Sequence, residues 1–183
     1  IYIESIEQCW LRVACFYRKH EGVEQVLKCY KHLLDGHYTP PSPVIYNGGK
    51  TKGTTTSCFL FKLDDTKESI LETIHLVSHL SMSGGGIGVD LSALRDSDFG
   101  DEGKSSGPAA WGKVIDGTTC NISQNSRRSA VSTLYMSWYN LTINDFVMRA
   151  ALVDADHGRT YFTSKTAIWI SYLFLRRVYD NAE

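Results

Sequence analysis

Residues 54–91 constrain the fold more than any other stretch, because two hydrophobic periods meet there together with the residues that separate them. The run 54–63 is rich in Thr and Phe around a single cysteine, Cys58, which predicts a strand. Asp64, Asp65 and Thr66 close that strand and offer caps to a helix. Ile70, Ile74, Val77 and Ser81 then recur at spacings of four, three and four, with Leu71 and Leu80 widening the stripe, so a helix is expected to about Met82. Gly84, Gly85 and Gly86 stop it, and Ile87-Gly88-Val89-Asp90-Leu91 has room only for a short strand. Strand, helix, glycine turn, strand is one unit of an α/β layout.

The chain ahead of this unit reads as two packed helices. Ile6, Trp10, Val13 and Tyr17 repeat at helical spacing, and Val23, Val26, Leu27, Tyr30, Leu33 and Leu34 do so again, with Gly36 placed as a stop. Cys9, Cys15 and Cys29 fall within them and are expected to be buried as small hydrophobes. Residues 39–43 hold three prolines and cannot be helix interior, so a loop or linker is expected there. This divides the chain into a helical lead-in, 1–38, and an α/β part, 39–183.

Beyond the unit, 95–108 is polar and Gly-rich and reads as a surface loop. Pro108 can begin a helix in which Trp111, Val114, Ile115 and Thr118 share a face. Residues 131–139 alternate as a strand, with Leu134, Met136 and Trp138 on one side. Thr142-Ile143-Asn144-Asp145 offers a capping box to a helix over 146–152, and 167–179 reads as an apolar helix ending in Arg176-Arg177.

With 43% hydrophobic and 21% charged residues in 183, the composition is that of a globular protein burying one core, or one domain with a helical annex. A net charge of -1 creates no global basic field, so DNA is not expected as a partner and any phosphate binding must be local. No apolar run approaches the length of a membrane span, and the N-terminus lacks a secretory pattern, which points to the cytoplasm. The five cysteines form no C-x-x-C pair and no metal-ligand spacing with the six histidines, so reduced thiols and no metal site are expected. Asp154, Asp156 and His157 lack the remaining ligands of a metal site and read as a solvated turn. The blunt ends suggest a piece of something longer.

Several of these stretches, in order, resemble the large, catalytic subunit of ribonucleotide reductase: Ser42-Pro43-Val44-Ile45-Tyr46-Asn47, Ser57-Cys58-Phe59-Leu60, Asp64-Asp65-Thr66, Gly85-Gly86-Ile87-Gly88 with Arg95, Ser123-Gln124 with Arg127-Arg128, and Trp169-Ile170-Ser171-Tyr172-Leu173-Phe174. The resemblance runs nearly end to end. It implies an α/β barrel of ten strands, of which this chain supplies the helical lead-in and the first part. It also implies reduction of a ribonucleoside diphosphate or triphosphate to its 2'-deoxy form by a thiyl radical. On its own Cys58 reads as a core cysteine; the resemblance makes it one of a redox pair that becomes a disulfide when the 2'-hydroxyl is lost. None of the other four cysteines matches the partner's motif.

By the same resemblance Ser42, Ser57, Cys58, Gly85, Gly86 and Arg128 would contact substrate, and Asp65, Thr66 and Arg95 a dNTP or ATP effector. Read without it, Asp64 and Asp65 are a helix N-terminal carboxylate pair favoured by the macrodipole, and both readings can hold. The helices over 66–82 and from Pro108 would form a homodimer interface. No cofactor belongs to this segment. The whole enzyme would draw its radical from a metal-containing small subunit or from adenosylcobalamin, and would need the remainder of the large subunit. Met82 stands where the family often has lysine, and Asn125 and Ser126 where many members carry glycine, so effector binding and specificity are open to difference. A non-catalytic nucleotide-binding or scaffold homologue, and one half of a split reductase, remain as alternatives.

Overall fold

The computed structural model describes residues 3–51, 53–98, 104–105, 107–122, 130–151 and 161–181. The chain divides into two compact units, Ile1–Ser57 and Cys58–Glu183.

The first unit is built from α1 (Ile6–Arg18), α2 (Val23–Leu34) and the short α3 (Ser42–Asn47). Ser5 and Gln8 form a capping box at the start of α1: the Ser5 hydroxyl accepts from the Gln8 N–H at 3.3 Å and Gln8 Oε1 accepts from the Ser5 N–H at 2.9 Å. Cys9, Val13 and Ala14 of α1 pack with Cys29 and Leu33 of α2 and Val44 of α3. Cys15 lies on the solvent side of α1, contrary to the expectation of burial, because the core-facing residues are those at 9, 13 and 14. Pro43 sits in the first turn of α3, where its missing N–H costs nothing, so the proline-rich stretch ends by starting a helix rather than continuing as a loop. Arg12 links α1 to α3 and to the segment before α1: it donates to Glu4 at 2.8 and 2.9 Å, to the Ile45 carbonyl at 2.8 Å and to the Gly48 carbonyl.

The second unit runs β1 (Cys58–Lys62), α4 (Lys67–Met82), β2 (Gly86–Asp90), β3 (Ser97–Asp98), β4 (Lys104–Ser105), α5 (Gly107–Ile122), β5 (Val131–Ser137), α6 (Ile143–Ala151), β6 (Lys165–Trp169) and α7 (Tyr172–Tyr179). Strands β1, β2, β5 and β6 form one sheet in that order, every neighbouring pair parallel, while β3 and β4 form a small antiparallel ribbon. Each parallel step is bridged by a helix, as such a connection requires. The core joins Ile70 and Val77 of α4, Ala109 and Ile115 of α5 and Phe146 of α6 to Ile87, Val89, Leu134 and Met136 of the strands. Three helices thus cover one face of the sheet. Each fully buried aliphatic or aromatic side chain there contributes roughly 1.5–3 kcal/mol.

Four local expectations are corrected. The first strand begins at Cys58 rather than at 54, because its partner β2 begins at Gly86 and the register pairs those two residues. Residues 165–169 form a strand rather than the start of a helix: Ala167 and Trp169 pair with Tyr135 and Ser137, and the helix starts only after Ser171, whose hydroxyl accepts from the Phe174 N–H at 3.2 Å. The buried side of α5 is Ala109, Gly112, Ile115, Asp116 and Thr119, and Val114 points to solvent. Thr142 forms no capping box with Asp145; its hydroxyl donates to Asn140 Oδ1 at 2.8 Å and Asp145 pairs with Arg149 at 2.8 Å.

Candidate functional site at the two ends of a parallel sheet

Alternation along β1 sends Phe59 and Phe61 toward the helices and leaves Cys58, Leu60 and Lys62 on the opposite face, which no helix covers among the described residues. Gly86, Gly88 and Asp90 of β2 share that face, since Ile87 and Val89 point into the core. Leu60 is 80% exposed there, and Tyr135 stacks on Trp169 with ring centroids 5.1 Å apart.

The register aligns Cys58, Gly86 and Val131, the first residues of β1, β2 and β5. An exposed thiol therefore stands beside a glycine backbone at the N-terminal edge of the sheet. Gly85 is held tightly: a Cβ there would come within 3.0 Å of the Phe59 ring and 3.2 Å of the Leu80 carbonyl. At Gly88 a Cβ would stand 2.6 Å from Leu60 Cδ2, so any larger residue must push Leu60 aside. Glycine at 85 and 88 is thus required by the packing of Phe59 and Leu60 against the main chain next to Cys58.

The opposite edge carries the second group. About 13 Å of strand separates Cys58 from Lys62, and the chain then turns through Asp64 and Asp65 into α4. Thr66 caps that helix, its hydroxyl accepting from the Ser69 N–H at 3.2 Å, while the Asp64 N–H donates to Ser69 Oγ at 3.1 Å. Asp65 meets Arg95 at 2.5 Å. The guanidinium is 78% exposed, so the pair is worth at most about 1 kcal/mol and can be exchanged for another anion.

Arg95 owes its place to a pinned turn. The Ser92 N–H donates to Asp90 Oδ1 at 3.0 Å, Ser92 Oγ accepts from the Ser137 N–H at 2.8 Å, and Asn140 Nδ2 donates to the carbonyls of Ser92 and Leu94 at 3.0 and 3.1 Å. Sequence reasoning missed Ser92, Ser137 and Asn140, which carry no motif of their own.

Ser42 and Ser57 belong to the helical unit, Ser42 as the exposed first residue of α3 and Ser57 as the unit's half-buried last residue. Arg128, the whole run 123–129 and the turn 154–159 lie outside the described residues.

A carboxylate that the sequence reading passed over is heavily bonded among the described residues of the second unit. Asp116 on α5 is 1% exposed and accepts from the Thr163 N–H at 3.1 Å, the Ser164 N–H at 2.7 Å, Ser164 Oγ at 2.7 Å and Lys113 Nζ at 3.1 Å. Ser164 Oγ also bonds Ser132 Oγ, so one carboxylate ties α5 to the starts of β5 and β6. Burial pushes its pKa up, but the hydrogen bonds from Ser164, Thr163 and Lys113 together hold it below the usual carboxylate range. The available signal was spacing: Gly112, Asp116 and Thr119 lie four and three apart, on one side of the helix.

Among the described residues no helix is long and apolar enough to cross a membrane. Two family models match in succession: "Ribonucleotide reductase, all-alpha domain" over residues 2–53 and "Ribonucleotide reductase, barrel domain" over residues 56–183. The chain is 28% identical over 181 residues to the ribonucleoside-diphosphate reductase subunit alpha of Chlamydia muridarum, covering 96% of this chain and 17% of that protein. It is 29% identical over 186 residues to the ribonucleoside-diphosphate reductase large subunit of Monkeypox virus, covering 99% of this chain and 24% of that one. The corresponding large chain of Schizosaccharomyces pombe is 26% identical, with 89% and 21% covered. The fold matches the solved class Id ribonucleotide reductase alpha subunit of Actinobacillus ureae with a TM-score of 0.80 at 18% identity, over 98% of this chain and 32% of that one. The chain thus spans between a sixth and a quarter of the length of these curated relatives, with coverage of 17% to 24%.

Proposed function

The chain belongs to the ribonucleotide reductase large-subunit family, and on that premise we propose that it supplies one redox thiol, substrate contacts and a nucleotide effector site to a reductase that makes 2'-deoxyribonucleotides. The observation that carries the proposal is the pairing of Cys58 with Gly86 on the uncovered face of the sheet, where an exposed thiol adjoins a residue without a side chain. The relatives named above are diphosphate reductases, so a ribonucleoside diphosphate is the substrate form proposed.

In the proposed reaction a thiyl radical elsewhere in the enzyme activates the ribose. Cys58 and a second thiol then give up two electrons and two protons: the C2'–O bond breaks, a hydrogen replaces the hydroxyl at C2', water leaves, and the two sulfurs join as a disulfide. An external dithiol restores the pair. Gly86 lets a ribose or phosphate approach the main chain, with Ser42, Ser57, Gly85 and Arg128 as the other substrate contacts. The radical would come from a metal-containing small subunit or from adenosylcobalamin, as in the family this chain belongs to. Combined with polypeptide carrying the rest of the barrel, a radical generator and a dithiol, the chain should form deoxyribonucleotide. Purified by itself it should form none, and product from the 183-residue chain alone would overturn the assignment.

The effector reading rests on the Asp65–Arg95 pair at the N-terminus of α4. A dNTP triphosphate would displace Asp65 from the guanidinium, freeing that carboxylate to accept from the sugar or base, with Thr66 beside it. Arg95→Ala should weaken dNTP binding by about 1–3 kcal/mol, the usual cost of losing a charged hydrogen bond. Equal affinity of wild type and variant in titration calorimetry would remove Arg95 from the site.

A further inference from the structure

We infer that His32 and His37, in the helical unit, form a two-ligand site for a divalent transition-metal ion of the Zn2+ type. His32 lies in the last turn of α2, and the chain reverses at Gly36, whose φ of 71° is the left-handed conformation that ends helices. The Gly36 N–H donates to the Leu33 carbonyl at 3.3 Å and the His37 N–H to the His32 carbonyl at 3.0 Å. This backbone returns the His37 ring over the His32 ring, and their Nδ1 atoms stand 2.7 Å apart.

At that separation only one hydrogen fits between the two nitrogens, so at least one of them aims a lone pair into the gap. The metal takes the place of that hydrogen. Two imidazoles about 2.0 Å from a tetrahedral ion have their nitrogens about 3.3 Å apart, so binding needs only a small opening of rings that sit at the surface. His-x4-His falls within the ligand spacing of known zinc sites. The turn is already fixed by backbone bonds, and Cys29 Sγ with Tyr38 Oη at 2.9 Å braces it from the adjacent residues. Imidazole selects Zn2+, Cu2+ or Ni2+ over Mg2+ and Ca2+. Among the described residues no third Cys, His, Asp or Glu completes the set, so water fills the remaining positions.

A second histidine pair offers a competing position. His75 and His79 lie four apart on one face of α4 and meet edge to face, with centroids 4.7 Å apart. Zn2+ titration calorimetry on the 183-residue chain should show one ion bound per chain. His32→Gln and His37→Gln should each weaken binding at least tenfold, with helical content unchanged by circular dichroism, and His75→Gln should leave it as in wild type. No saturable Zn2+ binding by the wild type, or wild-type affinity in His37→Gln or His32→Gln, overturns the site; loss on His75→Gln assigns the ion to α4 instead and overturns it too.

Discussion

Cys58→Ser is expected to abolish sustained deoxyribonucleotide formation in the assembled enzyme while leaving assembly and nucleotide binding intact. Serine is nearly isosteric, and Cys58 is exposed at the start of β1, away from the buried core. A hydroxyl cannot form the reversible two-electron bond that a thiol can. The loss should therefore fall on turnover and not on the affinity for substrate. Continuous product formation by Cys58→Ser at the wild-type rate would return Cys58 to the role of a surface cysteine.

The second large effect is expected at Asp116. Asp116→Asn keeps the volume but removes the charge that accepts from Thr163, Ser164 and Lys113 in a site 1% exposed. At neutral pH it should cost about 3 kcal/mol of stability, the scale for leaving buried partners unmatched. Because the folded carboxyl lies below its ordinary value, its contribution is fully present above the unfolded carboxylate range and is lost as pH falls through the depressed folded value. Urea unfolding across pH should show the gap between wild type and Asp116→Asn closing in acid. A gap that stays constant with pH, or no gap, would show that the charge does not hold α5 to β5 and β6.

How much of this was legible depended on whether local pattern or distant partners decided each feature. The stripe Ile70, Val77 and Ser81 announced α4, and all three are buried as a 3.6-residue period requires. Leu134 and Met136 did the same for β5. The run from Ala167 onward failed because apolar residues without a clear period suit helix and strand alike, and pairing with Tyr135 and Ser137 decided it. The buried side of α5 failed differently. Gly112 approaches Leu91 and Leu134 so closely that a Cβ would stand 3.1 Å from each, so close packing selected small and polar residues where hydrophobicity pointed to Val114. Asp65 and Arg95, thirty residues apart in sequence, came together on paper only through the family resemblance. Nothing in the sequence showed that Ser92, Ser137 and Asn140 would fix the turn between them.

If Cys58 is consumed as a reductant, its sulfur must change state in step with product. The assembled enzyme would be given substrate for a single turnover without dithiol, quenched in acid, alkylated and mapped by mass spectrometry. Cys58 is expected to be protected from alkylation, in a disulfide with a cysteine outside these 183 residues, in proportion to deoxyribonucleotide formed. Deoxyribonucleotide accompanied by fully alkylated Cys58 would contradict that role.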